Sequence, residues 1–286
     1  MNKDEKKCIG IICGGGNYPK LVAQACIEKE IDFCMLLLKG FSDASLDINQ
    51  DSKNYKGTLS VKLGDIGVSL DFFRKNNVDK IVFVGDVKRP NFNELSLDKK
   101  GASWLLKLGK AIFLGDDALL KAIAKLANEE GFEIIAGTDL LEDIFVSNGI
   151  FTNKYPTEAE IFDIKIGFNA AKNLGILDIG QSVIVHDGLV LGVECVEGTD
   201  NLIERCAKLR KSSRGGVLVK TSKPQQDQRL DLPTVGENTI NLLNVNGFSG
   251  FIIESKKCIV INKKSIIKQA NDFSMFFGGS EDGIIK

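Results

Sequence analysis

The chain has 286 residues, of which 37 are basic, 38 acidic and 43% hydrophobic. This near balance of charge gives no overall field that would attract nucleic acid, so we expect no nucleic-acid partner. The charged opening Met-Asn-Lys-Asp-Glu-Lys-Lys leads into a short apolar run. That pattern fits neither a signal peptide nor a membrane span, and we expect a cytoplasmic protein.

Cysteine and histidine usage narrows the chemistry further. Seven cysteines occur without a Cys-x-x-Cys pair, mostly in apolar or helical patterns, which indicates buried thiols in a reducing compartment. His186 is the only histidine, which disfavours zinc-peptidase and histidine-rich dinuclear metal sites. It lies in a His-Asp-Gly turn between two apolar runs, the pattern of a β-hairpin, so we interpret it as structural or solvent-facing rather than catalytic.

The first half of the chain alternates strand and helix patterns. A β-rich run, Cys8–Cys13, ends in three glycines, and Pro19 opens a helical pattern to about Glu30. Alternation of apolar strands with helices predicts a parallel, doubly wound sheet, that is, a Rossmann-like α/β domain. We expect Asp116 or Asp117 to cap the last helix. The further predicted elements are strands over 33–38, 80–85 and 132–136 and helices over 65–76, 102–113 and 116–130.

The second half has a different pattern, which predicts a mixed α+β domain. The irregular stretch Thr138–Pro156 separates the halves and is the expected hinge. We therefore assign residues 1–140 to a Rossmann-like nucleotide- or phosphate-binding domain and residues 141–286 to a catalytic and lipid-binding domain. The predicted elements are helices over 158–174, 199–211, 237–245 and 264–271, a hairpin over 182–195 and strands over 216–221, 251–253 and 258–261.

The segment Lys223–Gly236 is the most informative part of the chain. It contains the carboxylates Asp227 and Asp231, the cations Lys223 and Arg229 and two prolines, and it connects two apolar elements. A stiffened polar loop between buried elements is where a scaffold presents chemistry. Carboxylates can hold Mg²⁺ and guanidinium can clamp phosphate, which favours a phosphorylated ligand. A charged surface connection explains the spacing equally well.

Other candidates lie at predicted strand and helix ends. The turn Gly14, Gly15, Gly16 and Asn17 precedes a helix, whose N–H groups can hold a phosphate, although it matches neither Gly-x-Gly-x-x-Gly nor a Walker A loop. It also fits a plain tight turn. Asp86 follows a buried strand at its carboxyl end, which faces the ligand crevice of such sheets, and a plain exposed loop fits equally well.

Carboxylates also occur at two further helix starts. Asp116 begins a helix, where an acidic side chain is stabilising without any function. Glu194, Glu197 and Asp200 are three carboxylates within seven residues, beside Thr199. Thr199 or Asp200 can cap the following helix. Together with the two aspartates of the charged segment, these carboxylates supply enough oxygen ligands for Mg²⁺ or Mn²⁺ without histidine.

Taken in order, seven motifs resemble those of one family, the histidine-poor UDP-2,3-diacylglucosamine pyrophosphatases of the lipid A pathway in certain Gram-negative bacteria. The resemblance covers essentially the whole chain. The motifs are Gly14-Gly-Gly-x-x-Pro19, Gly115-Asp-Asp-Ala-Leu-Leu120, Gly131-Phe-Glu-Ile134, Leu177-Asp-Ile-Gly-Gln181, Gly188-Leu-Val-Leu191, Glu197-Gly-Thr-Asp200 and Arg229-Leu-Asp-Leu-Pro-Thr-Val-Gly236.

The resemblance implies a Mg²⁺-dependent (or Mn²⁺-dependent) hydrolase. It would cleave UDP-2,3-diacylglucosamine to UMP and 2,3-diacylglucosamine 1-phosphate (lipid X), with the ligand between two domains. The family's essential aspartate lies in the Asp-Leu-Pro-Thr motif, which falls on Asp231. Two readings from other classes stay open: a non-catalytic nucleotide-binding or sensor protein and a nucleotide-sugar transferase.

On this basis we assign expected roles to the candidate residues. The expected catalytic residues are Asp231, Arg229 and Lys223. The expected metal ligands are Asp231, Asp227, Glu197 and Asp200. The expected substrate or phosphate contacts are Gly14, Gly15, Gly16, Asn17, Asp86, Asp116, Thr199, Gln226 and Thr234. Expected partners are the substrate, lipid X and, transiently, the inner-membrane surface, and the chain either stays single or forms a homodimer.

Overall fold

The structure is a computed structural model that describes residues 8–42, 48–210 and 214–285. It divides into two compact units. Unit 1 comprises the described residues up to Glu142 together with Asp227–Asp231, and unit 2 comprises Asp143–Gln226 and the residues from Leu232 onward. Residues 1–7, on which the signal-peptide argument rests, lie outside the described residues. Within the described ranges, every helix is too short or too polar to cross a bilayer.

Unit 1 contains a five-stranded sheet, and all of its strand pairs are parallel. Its strands are β1 (Cys8–Cys13), β2 (Phe33–Leu38), β3 (Tyr55–Val61), β4 (Val78–Val84) and β5 (Glu133–Ile134). They lie in the order β3-β2-β1-β4-β5. The predicted Rossmann-like parallel sheet is therefore confirmed. The sequence patterns missed β3, because this edge strand alternates half-buried and exposed residues and has no continuous apolar run.

Four helices flank this sheet. They are α1 (Tyr18–Glu28), α2 (Ile66–Lys75), α3 (Lys99–Leu108) and α4 (Asp116–Glu129). The helix predicted over 102–113 is divided, because Gly109 adopts a φ of 48° and a 3-10 turn, Gly109–Phe113, follows α3. The expected cap of α4 is wrong. Gly115 holds the N-cap position and both aspartates lie in the first turn, where they complement the helix dipole.

The order in which successive strands are added reverses between β1 and β4, although all strands run parallel. The loops that follow these two strands contact each other. The Gly14 N–H donates to the Val84 carbonyl at 2.8 Å. Gly15 and Asp86 exchange two backbone hydrogen bonds of 2.8 and 3.0 Å. In open α/β sheets this switch point is where ligands bind. The geometry therefore joins two of the predicted candidate segments at one edge of unit 1.

Unit 2 is a mixed α+β unit, as predicted. Its strands are β6 (Gly149–Ile150), β7 (Ser182–His186), β8 (Leu189–Val193), β9 (Val217–Lys220), β10 (Thr234–Val235), β11 (Gly250–Glu254), β12 (Ile259–Val260) and β13 (Phe276–Ser280). Its helices are α5 (Glu158–Ile176), α6 (Gly198–Ala207), α7 (Glu237–Val245) and α8 (Lys263–Asp272). Six strands form one sheet in the order β6-β13-β11-β9-β7-β8, and β10 pairs with β12.

Within that sheet β9, β11 and β13 run parallel, so their carboxyl ends share one edge. The antiparallel strand β7 starts at the same edge, since Ser182 pairs with Lys220. The predicted hairpin is confirmed: its turn residues Asp187 and Gly188 have positive φ and donate to the buried carboxylate of Asp163 at 3.0 and 2.7 Å. These two bonds fix the hairpin turn next to His186.

The start of α6 differs from the expectation. Glu197 occupies the N-cap position with no side-chain capping bond, so neither Thr199 nor Asp200 caps the helix. The Thr199 hydroxyl instead bonds to the buried side chains of Glu194 and Lys220. The predicted last residue of this helix, Lys211, lies outside the described residues. Of the seven free cysteines, six are buried, as the apolar patterns predicted, and Cys195 is exposed.

The close approach at the switch point predicts an unequal cost for two glycine substitutions. Gly85 and Gly40 have nearly the same φ, 87° and 85°, but a Cβ on Gly85 would lie 2.4 Å from the Gly15 carbonyl oxygen, whereas a Cβ on Gly40 meets nothing within 4 Å. We expect Gly40→Ala to cost about 1–2 kcal/mol of unfolding free energy from its backbone conformation alone. Gly85→Ala should cost about 1–3 kcal/mol more, because of the clash.

Urea unfolding of both variants measures this difference directly. Equal costs for the two substitutions would show that the two loops do not approach each other closely.

Candidate active site

The turn Asp227–Asp231 is held on unit 1 by one apolar side chain. Leu230 is 7% exposed and belongs to the same buried cluster as Trp104 and Leu126. The amides of Leu230 and Asp231 both donate to the Asp227 carbonyl, at 3.0 and 3.2 Å, which closes a tight turn. Asp231 follows the buried leucine directly and is exposed. The essential carboxylate expected from the sequence thus stands on a turn with a fixed backbone.

Ion pairs hold the rest of this turn. Arg229 binds Asp227 through two bonds, Nε to Oδ1 at 3.0 Å and Nη2 to Oδ2 at 2.7 Å. These bonds hold the pKa of Asp227 below its usual value, although partial burial opposes them. The Asp227 backbone amide donates to Asp117 Oδ1 at 3.4 Å, and Asp117 pairs with Lys121 at 2.7 Å. The turn is therefore in contact with the first turn of α4.

The Asp86 loop reaches the same helix through an arginine. Arg89 Nη1 donates to Asp116 Oδ1 at 2.8 Å. Asp86 is itself bonded to Gly15, so contacts run from the glycine turn through the Asp86 loop and the start of α4 to the turn that carries Asp231. Gly16 and Asn17 are exposed, and Asn17 gives no side-chain cap to α1. The amides at the start of this helix can therefore serve a phosphate.

Several other expected residues lie in unit 2. Lys223 forms an ion pair of 2.5 Å with Asp178, which joins the charged segment Lys223–Gly236 to the motif Leu177–Gln181. Its backbone amide donates to Gln226 Oε1 at 3.1 Å. The Thr234 hydroxyl donates to the Leu232 carbonyl at 3.1 Å. Within unit 2, therefore, the side chains of Lys223, Gln226 and Thr234 all bond to the protein itself.

A buried network stands at the shared strand edge of unit 2. Lys220 Nζ donates to Thr199 Oγ1 at 2.9 Å, and that hydroxyl donates to Glu194 Oε1 at 2.6 Å. Glu194 and Lys220 are both 7% exposed. Burial raises the pKa of Glu194, but the charge of Lys220 and hydrogen bonds from Thr199, Ser182 and Gln181 outweigh it, so the pKa lies below its usual value. This carboxylate is ionised in the folded protein at neutral pH.

The donor set limits how a metal could be held. Within the residues that the structure describes, no three Asp, Glu, Cys or His side chains are close enough together to hold a metal ion. Of the expected ligands, Glu197 pairs with Arg205 at 2.5 Å and Asp200 accepts from Asn238 at 2.8 Å. Asp227 and Asp231, the two other expected ligands, lie on one turn, and a magnesium ion is commonly bound by one or two carboxylates together with water and phosphate oxygens.

The structure thus distributes the expected site residues over both units. Unit 1 brings together the Gly14–Asn17 turn, Asp86, Asp116 and the Asp227–Asp231 turn. The expected residues of unit 2 are Lys223, Gln226, Thr234, Glu197, Thr199 and Asp200. Sequence reasoning missed the contributions of Leu230, the Arg89–Asp116 pair and Lys220. The sequence signal for Leu230 is that it is an apolar residue between Arg229 and Asp231.

The lowered pKa of Glu194 predicts a pH-dependent contribution to stability. A carboxyl whose pKa is lower in the folded than in the unfolded state stabilises the fold above the unfolded-state pKa of about 4.3, and this stabilisation is lost as pH falls through the folded-state pKa. We expect Glu194→Gln to cost about 2 kcal/mol or more of unfolding free energy at pH 7. The difference from the unaltered protein should shrink as pH falls below about 4.

Urea unfolding between pH 7 and 3.5 measures the effect. The control is Glu204→Gln, which changes an exposed glutamate of α6 and should stay within about 0.5 kcal/mol throughout. A Glu194→Gln cost that does not change with pH would contradict the proposed cause.

Two solved structures share weak similarity with the chain. An N5-carboxyaminoimidazole synthetase from Staphylococcus aureus is 14% identical, with 74% of this chain and 47% of that chain covered and a TM-score of 0.23. An L-amino acid ligase from Bacillus licheniformis is 10% identical, with 72% and 43% covered and a TM-score of 0.25. Scores this low carry no argument about fold or function.

Sequence relatives are far more informative. Residues 8–144 match the LpxI N-terminal domain and residues 147–277 match the LpxI C-terminal domain. A protein of Caulobacter vibrioides named UDP-2,3-diacylglucosamine pyrophosphatase LpxI is 35% identical over 277 residues, which are 95% of this chain and 96% of the relative. Two consecutive domain matches and a relative aligned along nearly its whole length show that the chain belongs to the LpxI family.

Proposed function

We propose that this chain hydrolyses the pyrophosphate bond of UDP-2,3-diacylglucosamine in lipid A biosynthesis, giving UMP and 2,3-diacylglucosamine 1-phosphate (lipid X). One observation carries the proposal: the 35% identity over 95% of the chain with a protein named for that activity. The arrangement in unit 1 supports it, because a carboxylate, cations and an uncapped helix start lie in one connected set of loops.

Phosphate recognition falls to the glycine turn and its neighbours. A pyrophosphate diester carries two negative charges, and these repel an incoming hydroxide. Backbone amides at the start of α1 and the open backbone around Gly16 suit a phosphate group, since a helix N-terminus carries partial positive charge. The nearby Asp86 carboxylate suits a hydroxyl donor of the substrate rather than its phosphates, because like charges repel.

Asp231 is the proposed centre of the chemistry. Its carboxylate follows a buried leucine, and its amide is bonded into the turn, so the backbone that carries it is fixed. In the proposal Asp231 either binds Mg²⁺ or orients the attacking water and accepts its proton. A fixed backbone favours both roles, because a nucleophile must be held close to the phosphorus and in line with the leaving group.

Arg229 and Lys223 are the proposed stabilisers of charge on the phosphate oxygens. A guanidinium has five N–H donors, and the two side-chain bonds to Asp227 use two of them. Arg229 can therefore donate to a phosphate while it stays paired with Asp227. Lys223 is held by Asp178 and would act as a point charge. Such electrostatic stabilisation is the largest contribution to catalysis in many enzymes.

Magnesium, or manganese, is the proposed cofactor. The carboxylates of the Asp227–Asp231 turn are hard oxygen donors of the kind this ion takes. When bound, it would neutralise phosphate charge and make a coordinated water more acidic. The residues of the chain would bind it, orient the water and hold the turn in place.

Product analysis with added Mg²⁺ tests the activity itself. We expect the protein to convert UDP-2,3-diacylglucosamine to UMP and lipid X, with one oxygen of the products derived from H₂¹⁸O. Activity should disappear after treatment with EDTA and return with Mg²⁺ or Mn²⁺ but not depend on zinc. Transfer of the sugar to an acceptor without release by water would favour a transferase. Tight binding without any turnover would favour a sensor protein.

Substitution of Asp231 tests its role. We expect Asp231→Ala to lower kcat by roughly a thousandfold or more, because it removes a group that serves the metal or the water. Folding and substrate binding should be retained, since the side chain is exposed. Circular dichroism and equilibrium binding check these two properties.

The matched control for this substitution is Asp187→Asn. Asp187 is an exposed hairpin-turn residue with a φ of 51°, a conformation that asparagine tolerates. It should keep nearly full activity. Near-normal turnover by a folded Asp231→Ala variant would refute the assignment.

A further inference from the structure

Unit 1 exposes apolar side chains at the end of α3 and in the turn that follows it. Leu106 is 84% exposed, Phe113 87% and Leu114 55%. They lie within nine consecutive residues. Two lysines, Lys99 and Lys110, are also exposed in this part of the chain, and we call these five residues the α3 patch. Large apolar side chains exposed together, with charged residues around them, mark a surface that contacts something else.

The structure holds this patch firmly. Trp104 is buried and fixes one face of α3 against the core of unit 1. Arg89 Nη2 donates to the Ile112 carbonyl at 2.5 Å, directly before Phe113 and Leu114. Gly109, with its φ of 48°, turns the chain between Leu106 and Phe113. The exposed side chains are thus presented by a backbone that is fixed on both sides.

The charge of the segment identifies the kind of surface. Residues 99–114 contain four lysines and no aspartate or glutamate, although the whole chain has a net charge of −1. Lys100 pairs with Glu130, the C-cap of α4, at 2.5 Å, and Lys107 pairs with Glu129, its last residue, at 3.1 Å. Lys99 is the first residue of α3, seven residues before Leu106, and Lys110 lies between Leu106 and Phe113 in the sequence. Exposed lysines accompanying protruding leucine and phenylalanine are the pattern of segments that lie in an anionic lipid interface.

We infer that the α3 patch docks the protein on the surface of an anionic lipid bilayer, with Leu106, Phe113 and Leu114 inserted between headgroups and the lysines against lipid phosphates. Three protruding apolar side chains beside exposed lysines, in a segment without carboxylates, complement an anionic lipid interface. They suffice for reversible contact with a bilayer when cations assist. The inference gains its purpose from the proposed function, since a diacylated substrate resides in such a bilayer.

Vesicle flotation of the full chain tests the inference without any turnover, so its result stands apart from that of the activity assay. The vesicles contain phosphatidylcholine with 30% phosphatidylglycerol, or phosphatidylcholine alone. We expect binding to the anionic vesicles only, and its loss in 0.5 M NaCl, because salt screens the lysines. Failure of the unaltered protein to bind anionic vesicles would overturn the inference.

Two variants separate the apolar from the ionic contribution. Leu106→Ser/Phe113→Ser/Leu114→Ser should weaken binding at least tenfold. Lys99→Gln/Lys110→Gln should weaken it roughly 25-fold, since each lysine near the surface contributes about fivefold. The matched control is Val68→Ser/Leu209→Ser/Val245→Ser, which removes exposed apolar side chains of 50%, 54% and 76% exposure elsewhere in the chain.

The control should bind vesicles like the unaltered protein, and all variants should keep their circular dichroism spectra and melting temperatures. Equal loss in the control and the patch variant would overturn the inference. So would a patch variant that keeps full vesicle binding but changes from dimer to monomer in light scattering, which would assign the patch to a second copy.

Turnover of a short-chain, water-soluble substrate without vesicles distinguishes docking from direct substrate contact. The patch variant should hydrolyse it at the rate of the unaltered protein. A matching loss of this activity would place the patch in substrate binding and contradict docking.

Discussion

The burial of Leu230 is the constraint on which the candidate active site depends. A fully buried leucine contributes about 1.5–3 kcal/mol relative to an exposed one. Here it holds Asp227–Asp231 in unit 1, although the residues on both sides in the sequence belong to unit 2. Three connections along the backbone therefore join the two units, after Glu142, Gln226 and Asp231. The turn that carries Asp231 has little freedom to move relative to the glycine turn and the start of α4.

Ion pairs around this turn determine geometry more than stability. Exposed pairs contribute only about 0–1 kcal/mol each, and those of Arg89 with Asp116 and Arg229 with Asp227 are partly exposed. They hold the Asp86 loop against the start of α4 and fix the shape of the Asp227–Asp231 turn. Unit 2 differs, because Glu194 and Lys220 are buried. Removing either one would leave the other as an uncompensated charge inside the protein. The candidate site residues of unit 1 are thus held by partly exposed ion pairs, whereas the edge of the sheet in unit 2 is held by buried charged side chains.

The sequence predicted much of the fold because buried parallel strands are continuous apolar runs, as in Cys8–Cys13 and Phe33–Leu38. It missed Tyr55–Val61 at a sheet edge and Phe276–Ser280, where glycines interrupt the apolar pattern. Predicted helix starts differ from the observed ones by up to three residues, as at α3, and the caps expected for α4 and α6 were wrong, since several side chains near each start could act as caps. For the site, the residue types in the charged segment pointed to phosphate chemistry. The placement of Asp227–Asp231 on unit 1 follows from contacts between Leu230 and residues far away in the chain, which no local pattern encodes.

Amide hydrogen exchange tests the placement of the Asp231 turn most directly. Ile81→Ala weakens the core of unit 1, and Ile252→Ala weakens the core of unit 2. If Asp227–Asp231 is part of unit 1, the Leu230 and Asp231 amides should exchange faster in Ile81→Ala, together with those of β1 and β4, because they open with that unit. In Ile252→Ala they should keep their protection. If the two amides instead exchange together with those of β9 and β11, the account is contradicted.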